Sequence, residues 1–249
     1  MTFTLAAFYK NIQSTELTEI TPISDPILRI ESNKLYVPKL DKLVGAYIVG
    51  NLASEAKITT PSLEALSPIY ISPVDPNAEP ALPRSFYDRF ENPKSLVATE
   101  AIRVLVALSD ATSAQDVYAL LFFGDGDLRV PAGEIITVKA TATETLVANK
   151  WTNAQLEFVD ELGAGRYAVV GMRAKSDGLI AARLVFSEIP WRPGVVGIDA
   201  YGDLDVPRFR MGKAGTFGEF EHTNPPTVDF LSISADTSET VWLDIIKIR

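Results

Sequence analysis

The chain has no cysteine and, in 249 residues, a single histidine, His222. The first absence removes disulfides, thiol nucleophiles and thiolate-bound zinc together, and leaves the redox compartment open. The second matters because catalytic triads and most zinc sites need a histidine with a positioned partner. In the stretch FGEFEHTNPP the adjacent Glu221 points the other way if the segment is extended, so His222 reads as a surface or interface residue. No GxSxG, P-loop or HExxH pattern occurs. Long apolar runs are missing too: none, LVGAYIVG at 43–50 included, exceeds eight residues, against roughly 20 residues for a membrane-spanning helix. The opening MTFTLAAFYKN lacks the basic region and apolar core of a secretory signal. These features read as a soluble protein made in the cytosol. Basic clusters are also absent. With 23 Lys and Arg against 32 Asp and Glu the formal charge is −9, and residues 1–95 carry 9 basic and 11 acidic side chains. No arm or stripe is left to neutralise phosphates, which argues against nucleic-acid binding through a charged tail.

What is present is strand signal. An apolar fraction of 47% with 22% charged residues suits a globular chain that folds. From about residue 100 the pattern has period two, in short β-rich runs separated by Gly, Asp, Asn and Pro. In EIITVKATAT, Ile136, Val138, Ala140 and Ala142 face one way and Thr137, Lys139, Thr141 and Thr143 the other, which is one buried and one wet face. Similar runs are AIRVLVALS (101–109), DVYALLFFG (116–124), TLVAN (145–149), AQLEFV (154–159), RYAVVGMRA (166–174), LIAARLVF (179–186), VDFLSIS (228–234) and TVWLDIIKI (240–248). With no long amphipathic helix among them, they predict an all-β sandwich, and eight strands is the jelly-roll number.

The first hundred residues read differently. Prolines at 22, 26 and 38 suit extended segments lying along a surface. KLVGAYIVGNLASEAKITTPSL suggests a hairpin turning near Asn51 to Glu55, and residues 68–93 hold six prolines, as a linker or strapped-down loop would. The predicted organisation is therefore an extended N-terminal arm or partial β domain over 1–96 and a jelly-roll sandwich over 97–249, with a compact double jelly roll left open. A second irregular piece, 187–226, is too aromatic for disorder and too long to lack a role.

Few residues offer chemistry. In FFGDGDLRVPAGE the acids Asp125, Asp127 and Glu134 could ligate calcium, but a loop starting at Asp125 has Arg129 where a ligand and Val130 where glycine is required. A turn between strands is the simpler reading. Gly163, Gly165 and Ala168 have dinucleotide-fingerprint spacing, which works only before a helix; a β pattern follows, so a hairpin turn is predicted. The pairs Asp203 with Asp205 and Glu219 with Glu221 are the remaining catalytic option, an acid-pair glycosidase, but nothing supplies the pocket that raises an acid's pKa. The expectation is no enzyme and no cofactor.

The runs LGAGRYAVVGMRAKSDGLIAARLVFSEIPWRPGVVGIDA and GEFEHTNPPTVDFLSISADTSETVWLDIIKI resemble jelly-roll major capsid proteins of tailless icosahedral phages and viruses, over about residues 97–249. That resemblance implies a viral structural protein located in the virion and synthesised in the host cytoplasm. It also implies oligomeric coat building, commonly as homotrimers with other capsid proteins, in some cases over an internal membrane. Trp191, Arg192, Tyr201, Phe209, Phe217 and Phe220 then become expected interface anchors, since aromatics and arginine dominate interface energetics. The alternative is a carbohydrate- or receptor-binding sandwich, a spike or appendage module, which needs an exposed aromatic ring beside polar groups in a concave site.

Overall fold

A computed structural model describes residues 2–76, 86–197, 209 and 212–249. The chain divides into two compact units, one of residues 6–123 and one of residues 124–249 together with 1–5.

The N-terminal unit is built from β1 (Phe3–Ile12), β2 (Thr18–Pro22), β3 (Ile30–Glu31), β4 (Lys34–Tyr36), β5 (Lys42–Gly50), β6 (Ala53–Thr59), a short helix α1 (Pro61–Leu66), β7 (Ile69–Ile71), β8 (Tyr87–Asp88), β9 (Lys94–Ser95), β10 (Ala101–Leu108) and β11 (Gln115–Gly124). One row of strands is β1-β11-β5-β8, with β9 also on β5; the other is β2-β10-β6-β7, with the β3-β4 pair added to β10. β2 joins β1 through Thr21 and Pro22 and joins β10 through Thr18, Glu19 and Ile20, so it turns the corner between the rows. The helix begins where it does because Thr60 caps it, its Oγ1 accepting from Leu63 N–H (3.3 Å), with Pro61 in the first turn.

The C-terminal unit contains β12 (Ile135–Ala142), β13 (Trp151–Ala154), β14 (Glu157–Phe158), β15 (Arg166–Lys175), β16 (Leu179–Val185), β17 (Gly194–Val196), β18 (Gly218–Glu221), β19 (Thr227–Ser232) and β20 (Glu239–Lys247). These form a five-stranded sheet, β14-β12-β20-β15-β18, and a four-stranded sheet, β13-β19-β16-β17.

Strand order identifies both units. If the two-residue β14 is set aside and the remaining C-terminal strands are counted first to eighth, the sheets read first-eighth-third-sixth and second-seventh-fourth-fifth. Counting β1, β2, β5, β6, β7, β8, β10 and β11 in the same way gives the same two orders in the N-terminal unit. Eight antiparallel strands in two such rows make a jelly roll. The fold is all-β, and the jelly roll occurs twice.

Several expectations change accordingly. The predicted extended arm is a complete sandwich, and the expected boundary at 96/97 moves to 123/124, because β10 and β11 pair with N-terminal strands: Ile58 opposes Val104 and Leu35 opposes Ile102. The segment TLVAN is not a strand; β13 begins after it. The irregular 187–226 stretch supplies β17 and β18, the fifth and sixth strands. The turn at Asn51 and Leu52 exists, with Leu52 at φ 60°, but it does not close a hairpin: β5 and β6 enter different rows. For the first sandwich, part of the cause is burial without alternation. β1 is buried continuously over Phe3–Phe8 and β5 over Leu43–Ile48, so neither shows the period-two signal on which strand recognition depends.

Candidate functional site

The acids of the 125–134 stretch stand in a turn. Asp125 accepts from Thr2 N–H and from Asp127 N–H (2.9 Å each), Asp127 accepts from Arg129 N–H (3.3 Å), and Gly126 sits at φ 81°. Such carboxylate-to-backbone bonds are how aspartates close turns. Glu134 is exposed, and among the described residues no three His, Asp or Glu side chains converge as a metal-binding set.

Gly165 is followed by strand β15, not by a helix, so the fingerprint spacing has no helix N-terminus to present. It is not a hairpin turn either, since β12 and β20 lie between β14 and β15. Gly165 (φ 152°) is required for close approach: a Cβ there would lie 2.5 Å from the Arg249 carbonyl oxygen. It also meets His222, whose Nδ1 accepts from Gly165 N–H (3.3 Å). Glu219 and Glu221 do share a face, and Arg166 binds both, at 2.9 and 3.4 Å, together with Glu188 at 2.9 Å. One guanidinium among three exposed carboxylates is a solvated ion cluster, not the apolar pocket that acid catalysis uses. Asp203, Asp205 and Tyr201 lie outside the described residues.

The expected interface anchors divide. Phe209, Phe217 and Phe220 are 2 to 3% exposed. Phe217 packs edge-on against Phe3 (5.0 Å between centroids) and Phe220 stacks on Tyr167 (5.7 Å). They fill the core of their own unit and have no surface to offer a partner, which corrects their assignment. Trp191 and Arg192 are half-buried. Arg192 belongs to an internal network: Asn153, Asp229 and Arg183 lie side by side across β13, β19 and β16. Asp229 accepts from Asn153 Nδ2 (2.8 Å), Arg183 Nε (2.9 Å) and Arg192 Nη1 (2.5 Å). Arg183 is 0% exposed, lies 4.0 Å over the Trp151 ring and donates to the Leu5 carbonyl (3.2 Å). Burial of a charge is tolerated only with a counter-charge and hydrogen bonds of this kind. The apolar frame of LIAARLVF and VDFLSIS gives no hint of it beyond one Arg and one Asp at alternating positions.

A second buried group was not legible in sequence. Glu239, opposite Ala142 at the start of β20, is 1% exposed and neither carboxyl oxygen has a hydrogen-bond partner. Burial, then the nearby charges of Asp236 and Glu144, push its pKa up to about 7. Sealed from solvent, it acts on stability and is not a reagent.

Two surface features remain. The outer edge of β12 over residues 135–138 has no strand partner among the described residues, since β14 engages only Ala140 and Thr141. There Ile135, Ile136 and Val159 are 53, 42 and 61% exposed. Ile136 was expected on the buried face, but only Val138, Ala140 and Ala142 of that face are covered. The second feature is a hollow of about 440 Å³ in the N-terminal unit, lined by residues of β7, β8, β9 and the bend between the last two, among them Tyr70, Tyr87, Arg89, Asn92 and Lys94. β5 positions β8 and β9, with Ala46 opposite Tyr87 and Leu43 opposite Lys94. The bend is closed by Asn92 N–H donating to the Arg89 carbonyl (3.1 Å) and is anchored by the fully buried Phe90. In β7 the alternation buries Ile69 and Ile71 and turns Tyr70 outward.

No family model matches the chain, and no curated protein matches it. Two solved structures resemble it weakly along its length. The major capsid protein P2 from bacteriophage PM2 is 11% identical, with 98% of each chain covered and a TM-score of 0.24. The STIV major capsid protein is 7% identical, with 97% of each chain covered and a TM-score of 0.26. At such scores the superposition is loose, and the assignment of the fold rests on strand order.

Proposed function

We propose that this chain is a major capsid protein that builds an icosahedral viral shell by oligomerisation. The observation that carries the reading is the repetition of one jelly-roll strand order in both units of a single chain. The jelly roll is an architecture of viral coats, and of lectins and cupins, so the step from fold to role is an analogy. Duplication favours the coat: three chains around a threefold axis bring six sandwiches of one topology into a tile, a symmetric way to cover a surface. The β12 edge supports it. Unpaired strand edges template a second chain, and apolar side chains at 42 to 61% exposure beside such an edge suit a subunit contact. On this reading the protein is made in host cytoplasm, resides in the virion as a homotrimer among other coat proteins, and has no catalytic role.

Light scattering with negative-stain imaging tests it. Trimers or closed shells are expected, and Ile136→Asp should shift the population towards monomer without altering the far-UV spectrum. A strict monomer at high concentration overturns the reading. The tyrosine-lined hollow favours a second reading, a glycan- or receptor-binding module of a spike, in which ligand binding occurs without tiling.

A further inference from the structure

We propose that the hollow between β7 and the β8–β9 bend binds a carboxylate-bearing saccharide. Its lining combines three kinds of group that this ligand class needs. Tyr70, 59% exposed, offers a ring face to the C–H face of a sugar. Ser67, Tyr87 and Asn92 offer hydroxyl and carboxamide groups for sugar hydroxyls. Arg89 and Lys94 supply positive charge, and among the described residues no Asp or Glu lines the hollow, in a chain whose net charge is −9.

The details favour recognition of an anion. The Arg89 guanidinium lies 5.0 Å over the Tyr87 ring, which holds the planar fork in place on the exposed side of the bend. Lys94 makes no ion pair among the described residues. A volume of about 440 Å³ lies within the range of small-ligand sites, and the site is open on one side, as binding to the end of a longer glycan requires. Single-stranded nucleic acid also uses rings and cations, but it needs a basic groove that follows the backbone over several nucleotides. Two cations in one hollow do not provide that groove. The inference does not depend on the coat assignment, because a monomer would carry the same hollow.

Saturation-transfer NMR and calorimetry on the full chain test the proposal, using sialyllactose, a trigalacturonate and neutral lactose. Either acidic sugar should bind, identifying the source of the carboxylate, and lactose should bind at least about tenfold more weakly. Arg89→Ala should remove that preference, Tyr70→Ala should abolish binding, and Tyr70→Phe should retain it; both positions are exposed, so the thermal midpoint should match the parent. Affinity should fall as salt rises. Failure of both acidic sugars to bind overturns the proposal, as does equal binding of lactose. Stronger binding of oligo-dT through the same residues also overturns it and would make this a nucleic-acid site. Assembly measured in the same variants keeps the coat reading separate: Tyr70→Ala should form the same oligomers as the parent.

Discussion

The two jelly rolls have one strand order and different interiors. The N-terminal unit centres on rings: Phe122 lies 5.5 Å from Phe86 and 6.4 Å from Phe90, and Phe90 and Phe122 are 0% exposed. Gly45 makes room for this cluster, since a Cβ there would stand 2.7 Å from the Phe86 ring. The C-terminal unit also packs rings, Phe217 on Phe3 and Phe220 on Tyr167, but buries charge as well, with Arg183 and Asp229 paired in the middle of its smaller sheet. The same topology is thus compatible with a ring cluster at its centre and with an ion pair set into one sheet. What the two share is the placement of buried apolar positions on strands of suitable length, and that pattern, not the identity of the central side chains, selects the jelly roll.

The sharpest way to separate the units is to remove the centre of each. Asp229→Ala removes the carboxylate shared by two guanidinium groups, one of them fully buried, and should destabilise by about 3–5 kcal/mol. Trp151, Trp191 and Trp242 are the only tryptophans and all lie in the C-terminal unit, so tryptophan fluorescence reads that loss. Phe122→Ala should cost a similar 3–5 kcal/mol through the cavity it opens, read as faster hydrogen exchange in β11. Replacing Asp229 with Asn, which keeps the shape and one acceptor oxygen, should be milder than replacing it with Ala; equal losses would show that the negative charge alone, not shape, matters at that site.

The next effect is smaller and depends on pH. Glu239 has a folded pKa of about 7 against an ordinary 4.5. Between those values the unfolded chain releases the proton while the folded chain keeps it, so stability falls as pH rises through this window and stays low above it. Glu239→Gln should therefore stabilise the protein by roughly 3 kcal/mol above pH 7 and change little below pH 4.5. Thermal midpoints across pH check this, and a pH-independent difference would locate the effect elsewhere. The smallest effect belongs to the 125–127 turn. Asp125→Ala should cost about 1 kcal/mol for its lost backbone bonds, and a chelator should leave the midpoint unchanged. A fall on chelation would restore a cation to Asp125 and Asp127.

How much of this was legible follows from burial pattern. β12, β15, β16, β19 and β20 lie within or beside runs readable by eye, because composition and turn residues bracket them. β17 and β18 were hidden in a proline- and glycine-rich stretch at three and four residues each, too short to show a period. In the first sandwich the runs of β10 and β11 and the β5 and β6 stretch were readable as strands, but β1, buried on six consecutive residues, and the short β7 and β8 were not, and which strands pair with which was not legible at all. The site residues fared worse. Phe209, Phe217 and Phe220 looked like anchors because a sequence shows that a loop is aromatic but not which way its rings turn. Tyr70, Tyr87 and Lys94 drew no notice because they are far apart along the chain and meet only through pairing with β5 and β6.

By itself the sequence determined the class of the molecule: strands, no cysteine chemistry, a negative charge and acids that close turns. Those follow from local properties, side-chain type, period and turn residues, which act over a few positions. The second jelly roll, the Arg183–Asp229 pairing, the stranded carboxyl of Glu239 and the tyrosine-lined hollow were decided by the tertiary structure. Each depends on which strands become neighbours, and strand pairing across dozens of residues is set by the packing of the whole unit, not by any short stretch of it.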